Sequence, residues 1–259
     1  MPRRSPAGCS SSSPTRPASS PARPCRSTAD SICIDEPASC SGRKPGHDGS
    51  GGGAKLPRHL HLEATRLAAV RGGRMVFRDL SFAVEAGAVL SVEGPNGAGK
   101  TSLLRMLAGF LAPASGTVRL RIDGTALEDG EERGKQVGWL GHHDAVKPQM
   151  TVRETLAFFA MLHRGAGALE GAMEQVGLAR LGDLPGQYLS AGQKKRVALA
   201  RLWLCGRPLW LLDEPLAALD PAGKRVVADL IAAHCAAGGI AVAATHEPLG
   251  IEARRLVLA

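Results

Sequence analysis

The 259-residue sequence predicts an α/β fold, and three observations carry that reading. Gly94-Pro95-Asn96-Gly97-Ala98-Gly99-Lys100-Thr101-Ser102 fits the phosphate-loop pattern G-x-x-x-x-G-K-[ST] at every required position. It is preceded by an apolar run, Ala88-Val89-Leu90-Ser91-Val92, and followed by a helix-like run, Ser102-Leu103-Leu104-Arg105-Met106-Leu107-Ala108, the strand, loop and helix that such a loop requires. A second apolar run, Pro208-Leu209-Trp210-Leu211-Leu212, ends in two adjacent carboxylates, Asp213 and Glu214. In open α/β sheets ligands gather at the C-terminal edge of such strands.

The elements follow in order. Alternating runs at residues 62–67, 74–77 and 80–84 read as strands, with turns at Gly72-Gly73 and at Glu85-Ala86-Gly87. They predict a small antiparallel sheet ahead of the strand that feeds the phosphate loop. After the first helix, Ala112-Pro113-Ala114-Ser115-Gly116 is a turn and residues 117–122 a further alternating strand. A strand at residues 137–140 precedes a loop at residues 142–148. Thr151 opens a helical section at residues 152–181, with Glu154 three residues on completing a capping box. The Phe158-Phe159 pair in it reads as core packing. Another helix follows Leu189-Ser190-Ala191-Gly192-Gln193, and the chain closes with a helix at residues 226–237 and strands at residues 240–244 and 255–258. No internal repeat is present.

Residues 1–58 are different in kind. They are rich in Ser, Pro, Arg, Ala and Gly, lack periodicity and cannot bury enough apolar surface to offset their ordering entropy, so they read as a disordered low-complexity extension. Up to Ala29 this segment has arginines and no acid, a transit-peptide composition; the reading preferred here is a start site assigned too far upstream. Nine basic and four acidic residues fall in it, so its net charge is +5 and only +3 of the formal +8 belongs to residues 59–259. A near-neutral domain offers little electrostatic ground for a nucleic-acid partner. Four of the six cysteines lie in the same segment without C-x-x-C spacing, which points to neither a disulfide framework nor a zinc site. Cys205 and Cys235 read as small buried thiols. The most hydrophobic region, residues 197–212, is broken by Arg201 and Arg207, so no membrane span is predicted.

The motif dictates the chemistry. Glycines let backbone N–H groups curl round nucleotide phosphates, and the helix behind them adds partial positive charge. Lys100 would reach the β- and γ-phosphates, and the Thr101 hydroxyl would ligate Mg²⁺. Asp213 is placed to hold Mg²⁺ through its water shell, and Glu214 to orient and polarise the attacking water.

Leu189-Ser190-Ala191-Gly192-Gln193 resembles the signature motif of ABC transporter ATPases, with Ala191 in place of the usual glycine. Ala217-Ala218-Leu219-Asp220 resembles that family's D-loop, and Thr245-His246 its switch histidine. The resemblance covers about 200 residues in family order. It implies a P-loop NTPase of ABC type: a mixed central sheet, an antiparallel β subdomain and an inserted helical subdomain at about residues 150–200 of a domain at residues 59–259. It also implies ATP and Mg²⁺ as cofactors, contact of His246 with the γ-phosphate, and a homodimer in which Ser190, Ala191, Gly192, Gln193 and Asp220 of one copy complete the nucleotide site of the other. Two positions depart from the family. Arg71 stands where an aromatic residue usually stacks on adenine, a role a guanidinium can fill, and His143 falls at the position of the Q-loop glutamine. The pair His142-His143 reads as structural, since a loop pair without further ligands is no metal site.

Within that family, residues 93–105, 140–147, 189–193 and 198–204 resemble the ATP-binding subunits of haem exporters that serve cytochrome c maturation. That likeness implies a peripheral protein on the cytoplasmic face of the bacterial inner membrane, working with integral membrane subunits of B, C and D type and linked to release of a haem-loaded chaperone. No residue pattern here binds haem directly. Two alternatives stay open: another small ABC transporter with different cargo, and a nucleotide-gated scaffold without turnover, against which Glu214 speaks.

Overall fold

The computed structural model describes residues 56–141, 146–163 and 169–259, so the segment up to residue 55 and His142-His143 lie outside the described residues. Two sheets organise what is described. Strands β1 (Leu60–Arg71) and β2 (Arg74–Glu85) form a hairpin across Gly72-Gly73, both at positive φ, which suits a two-residue turn between right-handed twisted strands. Strand β4 (Ser115–Ile122) pairs with the other edge of β1, and β5 (Thr125–Leu127) folds back on β4 across Asp123-Gly124. The order β2-β1-β4-β5 is antiparallel throughout.

Residues 74–77 and 80–84 are one strand, because Asp79 adopts a left-handed conformation (φ 53°) as a bulge and the ladder resumes beyond it. Arg66, at φ 51°, makes the matching bulge in β1, and its guanidinium lies 3.6 Å from the Asp79 carboxylate.

The second sheet is parallel, in the order β6-β7-β8-β3-β9, from strands β3 (Val89–Glu93), β6 (Val137–Leu140), β7 (Leu209–Asp213), β8 (Ile240–Ala244) and β9 (Arg254–Val257). Every residue of β7 and β8 is buried, as continuous apolar runs covered on both faces must be. Their side chains alternate between two cores. Leu209, Leu211, Ile240 and Val242 pack towards helix α1 (Lys100–Leu107) and the antiparallel sheet. Trp210, Leu212, Ala241 and Ala243 pack towards helices α3 (Val152–Leu162), α4 (Leu169–Gln175), α5 (Ala191–Cys205) and α6 (Pro221–Ala236). Helices α3 and α4 both lie against α5. The Thr151 and Glu154 capping box is present at the start of α3. A short helix, α2 (Gly130–Gly134), carries Arg133, whose buried guanidinium donates to the carbonyls of Met106, Leu107, Val118 and Glu128. A cation thus satisfies carbonyls at the C-terminal end of α1, where the helix dipole is negative.

Three further differences have physical causes. Helix α6 begins at Pro221, five residues before the expected start, because Asp220 caps it and proline is pre-set for a first helical turn. Phe158 is 52 % exposed, since only Val152, Thr155, Leu156 and Ala160 of α3 face the core. Cys205 is half-buried while Cys235 is buried; burial raises both thiols, Cys235 to about 11.

His234 on α6 stacks on Trp210 with ring centroids 3.9 Å apart. Its Nε2 lies 3.2 Å from Pro208 O and 3.3 Å from Ile240 O, so Nε2 carries the proton and donates. A Cβ at Gly239 would stand 2.2 Å from that nitrogen, so only glycine fits there. Burial lowers the His234 pKa from 6.5 to about 4. Between those values the unfolded chain binds a proton that the folded chain does not, so stability is full at neutral pH and is lost as pH falls from 6.5 towards 4. The linkage amounts to about 3 kcal/mol. Urea unfolding of the wild type between pH 7 and pH 4.5 should show this slope, and His234→Gln should flatten it; equal slopes would assign the acid sensitivity to other groups.

Candidate functional site

The site grows from the C-terminal edge of the parallel sheet. Strand β3 ends at Glu93, and the loop that follows turns into α1 at Gly99 (φ 98°). Two loop glycines are required twice over. A Cβ at Gly94 (φ 147°) would lie 2.4 Å from Leu258 O, and one at Gly99 2.5 Å from Val76 Cγ1. Gly97 (φ 89°) has nothing within 4 Å, so its requirement is conformational alone.

Lys100 is buried at the head of α1, and its Nζ donates to Gly94 O at 2.8 Å and Pro95 O at 3.2 Å. The same nitrogen lies 3.1 Å from His246 Nε2. Thr101 Oγ1 donates to the Asp213 carboxylate at 3.0 Å and 3.2 Å. Asp213 has the strand parity of Leu209 and Leu211 and therefore faces α1; it is 2 % exposed. Glu214 departs from extended backbone at φ 49°, its N–H donates to Ala244 O at 2.9 Å, and its Oε1 lies 3.3 Å from His246 Nε2. The His246 imidazole therefore stands between an ammonium and a carboxylate. As a neutral ring with its proton on Nδ1 it accepts from Lys100; with a proton on Nε2 it donates to Glu214.

These groups line a cleft of about 510 Å³ together with Asn96, Gly97, Gly99 and Ser102. Arg71 stands on its wall at the β1–β2 hairpin, with a nitrogen 3.5 Å from Ser102 Oγ. Val76 also lines the cleft, and nothing in the sequence separates it from other apolar strand residues. Gly94 and Pro95 take part through their carbonyls, whereas the Ala98 side chain is buried in the core.

The second set of predicted residues lies elsewhere. Ser190 caps α5 and is exposed; its hydroxyl accepts from Gln193 N–H while the Gln193 side chain accepts from Ser190 N–H. Ala191 is exposed, and a Cβ at Gly192 would lie 3.0 Å from Ala218 O. Asp220 caps α6, and its carboxyl is held below the usual range by the Gly223 N–H and then by Arg196, whose guanidinium lies 3.0 Å away. None of Ser190, Ala191, Gly192, Gln193 or Asp220 lines the cleft. His143 lies outside the described residues. Among the described residues no cluster of His, Cys, Asp and Glu is arranged to hold a metal by itself. The residues do fit a nucleotide with Mg²⁺: a glycine cradle that a Cβ would fill, a lysine, and a hydroxyl beside a carboxylate as hard oxygen donors.

Comparisons with known proteins bear on the family and the fold. A family model described as ABC transporter matches residues 77–217. The chain is 51 % identical over 196 residues to the cytochrome c biogenesis ATP-binding export protein CcmA of Paramagnetospirillum magneticum, covering 73 % of this chain and 89 % of that protein. It is 48 % identical over 198 residues to the protein of the same name from Rhodopseudomonas palustris, covering 76 % and 97 %. Among solved structures, the ATP-binding subunit of an ABC transporter superimposes with a TM-score of 0.61 at 26 % identity over 71 % of this chain and 79 % of that one. A putative ABC transporter ATP-binding protein from Pyrococcus furiosus shares the fold at a TM-score of 0.66 and 23 % identity, over 76 % and 97 %.

The glycines give an ordered expectation. Gly94→Ala should abolish nucleotide binding because its Cβ meets a backbone carbonyl, whereas Gly97→Ala should weaken binding by a backbone cost of about 1–3 kcal/mol. Isothermal titration with ATP checks the ranking, and equal losses at the two positions would contradict it.

Proposed function

The chain belongs to the ABC transporter family, and from that membership and its likeness to cytochrome c biogenesis ATP-binding export proteins we propose that it is the ATP-hydrolysing subunit of a haem exporter, coupling turnover to release of a haem-loaded chaperone. The observation that carries the hydrolytic part is the convergence of Lys100, the Thr101–Asp213 pair and the His246–Glu214 pair on one cleft.

Lys100 offsets the charge of the β- and γ-phosphates, and the N–H groups of the glycine loop with the N-terminus of α1 cradle them. Thr101 and Asp213 hold Mg²⁺, which when bound neutralises phosphate charge. Glu214 orients the attacking water and accepts its proton, and His246 fixes the Glu214 carboxylate at the phosphate end of the cleft. Arg71 offers a planar guanidinium to the adenine face.

We read the active form as a homodimer. The Ser190 end of α5 is exposed and does not line the cleft of its own chain, which favours a second copy's γ-phosphate as its ligand. Asp220 follows in the same seam. Integral membrane subunits of B, C and D type are the further partners, at the cytoplasmic face of the inner membrane, with this chain bound peripherally. No helix among the described residues is long and apolar enough to cross a membrane. Exposed apolar side chains support such docking: Phe110, edge-on to Trp139, and Phe158, Met161 and Leu162 on α3 at 52 %, 73 % and 62 % exposure. Large exposed apolar patches mark interaction sites.

Lys100→Ala should lose ATP binding, and Glu214→Gln should bind ATP yet hydrolyse it at least ~100-fold more slowly, the usual worth of general-base assistance. Phosphate release and equilibrium binding measure the two; wild-type turnover in Glu214→Gln would remove that residue from the mechanism. Arg71→Ala should weaken ATP binding, and unchanged affinity would take the guanidinium out of base recognition. Affinity purification from membranes should bring down integral subunits together with haem, and recovery of unrelated transporter subunits would refute the assigned cargo.

A further inference from the structure

His246 is carried on a turn that begins where β8 ends. Thr245 anchors one side: its N–H donates to Val92 O at 3.2 Å, its hydroxyl donates to Glu247 O at 2.8 Å, and Glu247 N–H donates back to that hydroxyl at 3.0 Å. These bonds close the turn on itself, and beyond it Leu249 is buried in the core. The Glu247 carboxylate is ion-paired with the ammonium of Lys224 on the first turn of α6. Lys224 N–H donates to Asp220 O at 2.9 Å, and Asp220 takes the Arg196 guanidinium of α5. The turn bearing His246 is thereby tied to the start of α6, and through Asp220 to α5.

We propose that Lys224 and Glu247 are a positioning pair for ATP hydrolysis: by holding the turn, they keep the His246 ring within reach of Glu214 and Lys100. The proposal rests on the hydrolytic reading above. The ring is 45 % exposed at its side chain, so packing alone does not immobilise it, and its Nε2 must stay 3.3 Å from Glu214 and 3.1 Å from Lys100. A displacement near 1 Å at a reacting centre costs on the order of 100-fold in rate. Both members of the ion pair are solvent-exposed, at 37 % and 52 %, so the pair adds little to stability and its loss separates from unfolding.

The test uses the full chain with Lys224→Met, Glu247→Gln and the charge-exchanged double variant Lys224→Glu with Glu247→Lys. Each single substitution should lower kcat on the order of 10-fold, a fraction of the misplacement cost, with KM for ATP unchanged. The unfolding midpoint should move by less than about 4 °C, as loss of an exposed ion pair allows. The exchanged pair should recover most of kcat. The His246 ring resonance, assigned by its disappearance in His246→Gln, should shift in the single variants and return in the double. Unchanged kcat and resonance in the single variants, a loss confined to KM or stability, or a double variant no better than the singles would each overturn the proposal. Glu214→Gln run alongside separates the two readings: if it loses turnover while Lys224→Met does not, hydrolysis at this cleft stands and the pair falls.

Discussion

The cleft depends on the register in which three parallel strands lie side by side. Ala244 at the end of β8 has Val92 of β3 on one flank and Asp213 of β7 on the other. Because strand side chains alternate, this register decides which core each residue enters. Asp213 emerges on the side of α1 and meets Thr101. A slip of one residue would turn the carboxylate into the apolar layer formed by α3 to α6 and leave it without a partner, a change costing several kcal/mol. The buried apolar runs of β7 and β8 pin the register, since Leu209, Leu211, Ile240 and Val242 on one side, and Trp210 and Leu212 on the other, fill different cores.

Where β7 ends, the backbone stops obeying that alternation. Glu214 stands at φ 49° and Ala218 at φ 63°, two residues with side chains in a conformation that costs each about 1–2 kcal/mol. Glu214 N–H still continues the ladder to Ala244 O, so the departure happens after the last strand hydrogen bond. The result is that two adjacent acids serve two purposes: Asp213 bonds the hydroxyl at the head of α1, and Glu214 swings to the imidazole that follows β8. Local strain of this kind persists only where surrounding structure over-determines it, and the strands on either side supply that.

Much of this was legible because it is local. The phosphate loop, the Gly72-Gly73 turn and the Thr151 capping box are short patterns with one physical solution each, and the strands on either side of the cleft are continuous apolar runs. What escaped was of two kinds. Asp123-Gly124 and Asp220-Pro221 carry readable turn and cap chemistry that apolar periodicity alone passes over, and they set β5 and the start of α6. Others depend on tertiary pairing: the bulge at Asp79 looks like a strand break until its neighbour Arg66 is seen to bulge opposite it, and Phe158 looks like core until α3 is seen to bury its other face. Val76 belongs to the cleft only because the hairpin folds over Gly99, a contact no sequence pattern announces.

The start of α5 bears on the proposed homodimer, because this helix end does not line the cleft of its own chain. At the start of α5 the Ser190 hydroxyl and the Gln193 side chain satisfy each other's backbone N–H groups, so this end is not bare. Such a cap is worth about 1 kcal/mol. Hydrogen bonds to a charged group contribute about 1.5–3 kcal/mol each, and the helix dipole adds to them when the charge is negative. A phosphate oxygen therefore outcompetes the cap it displaces, whereas a neutral surface does not. Ser190 is exposed and does not line the cleft of its own chain, so in the homodimer proposed above the anion that takes the place of the cap is the triphosphate of the second copy.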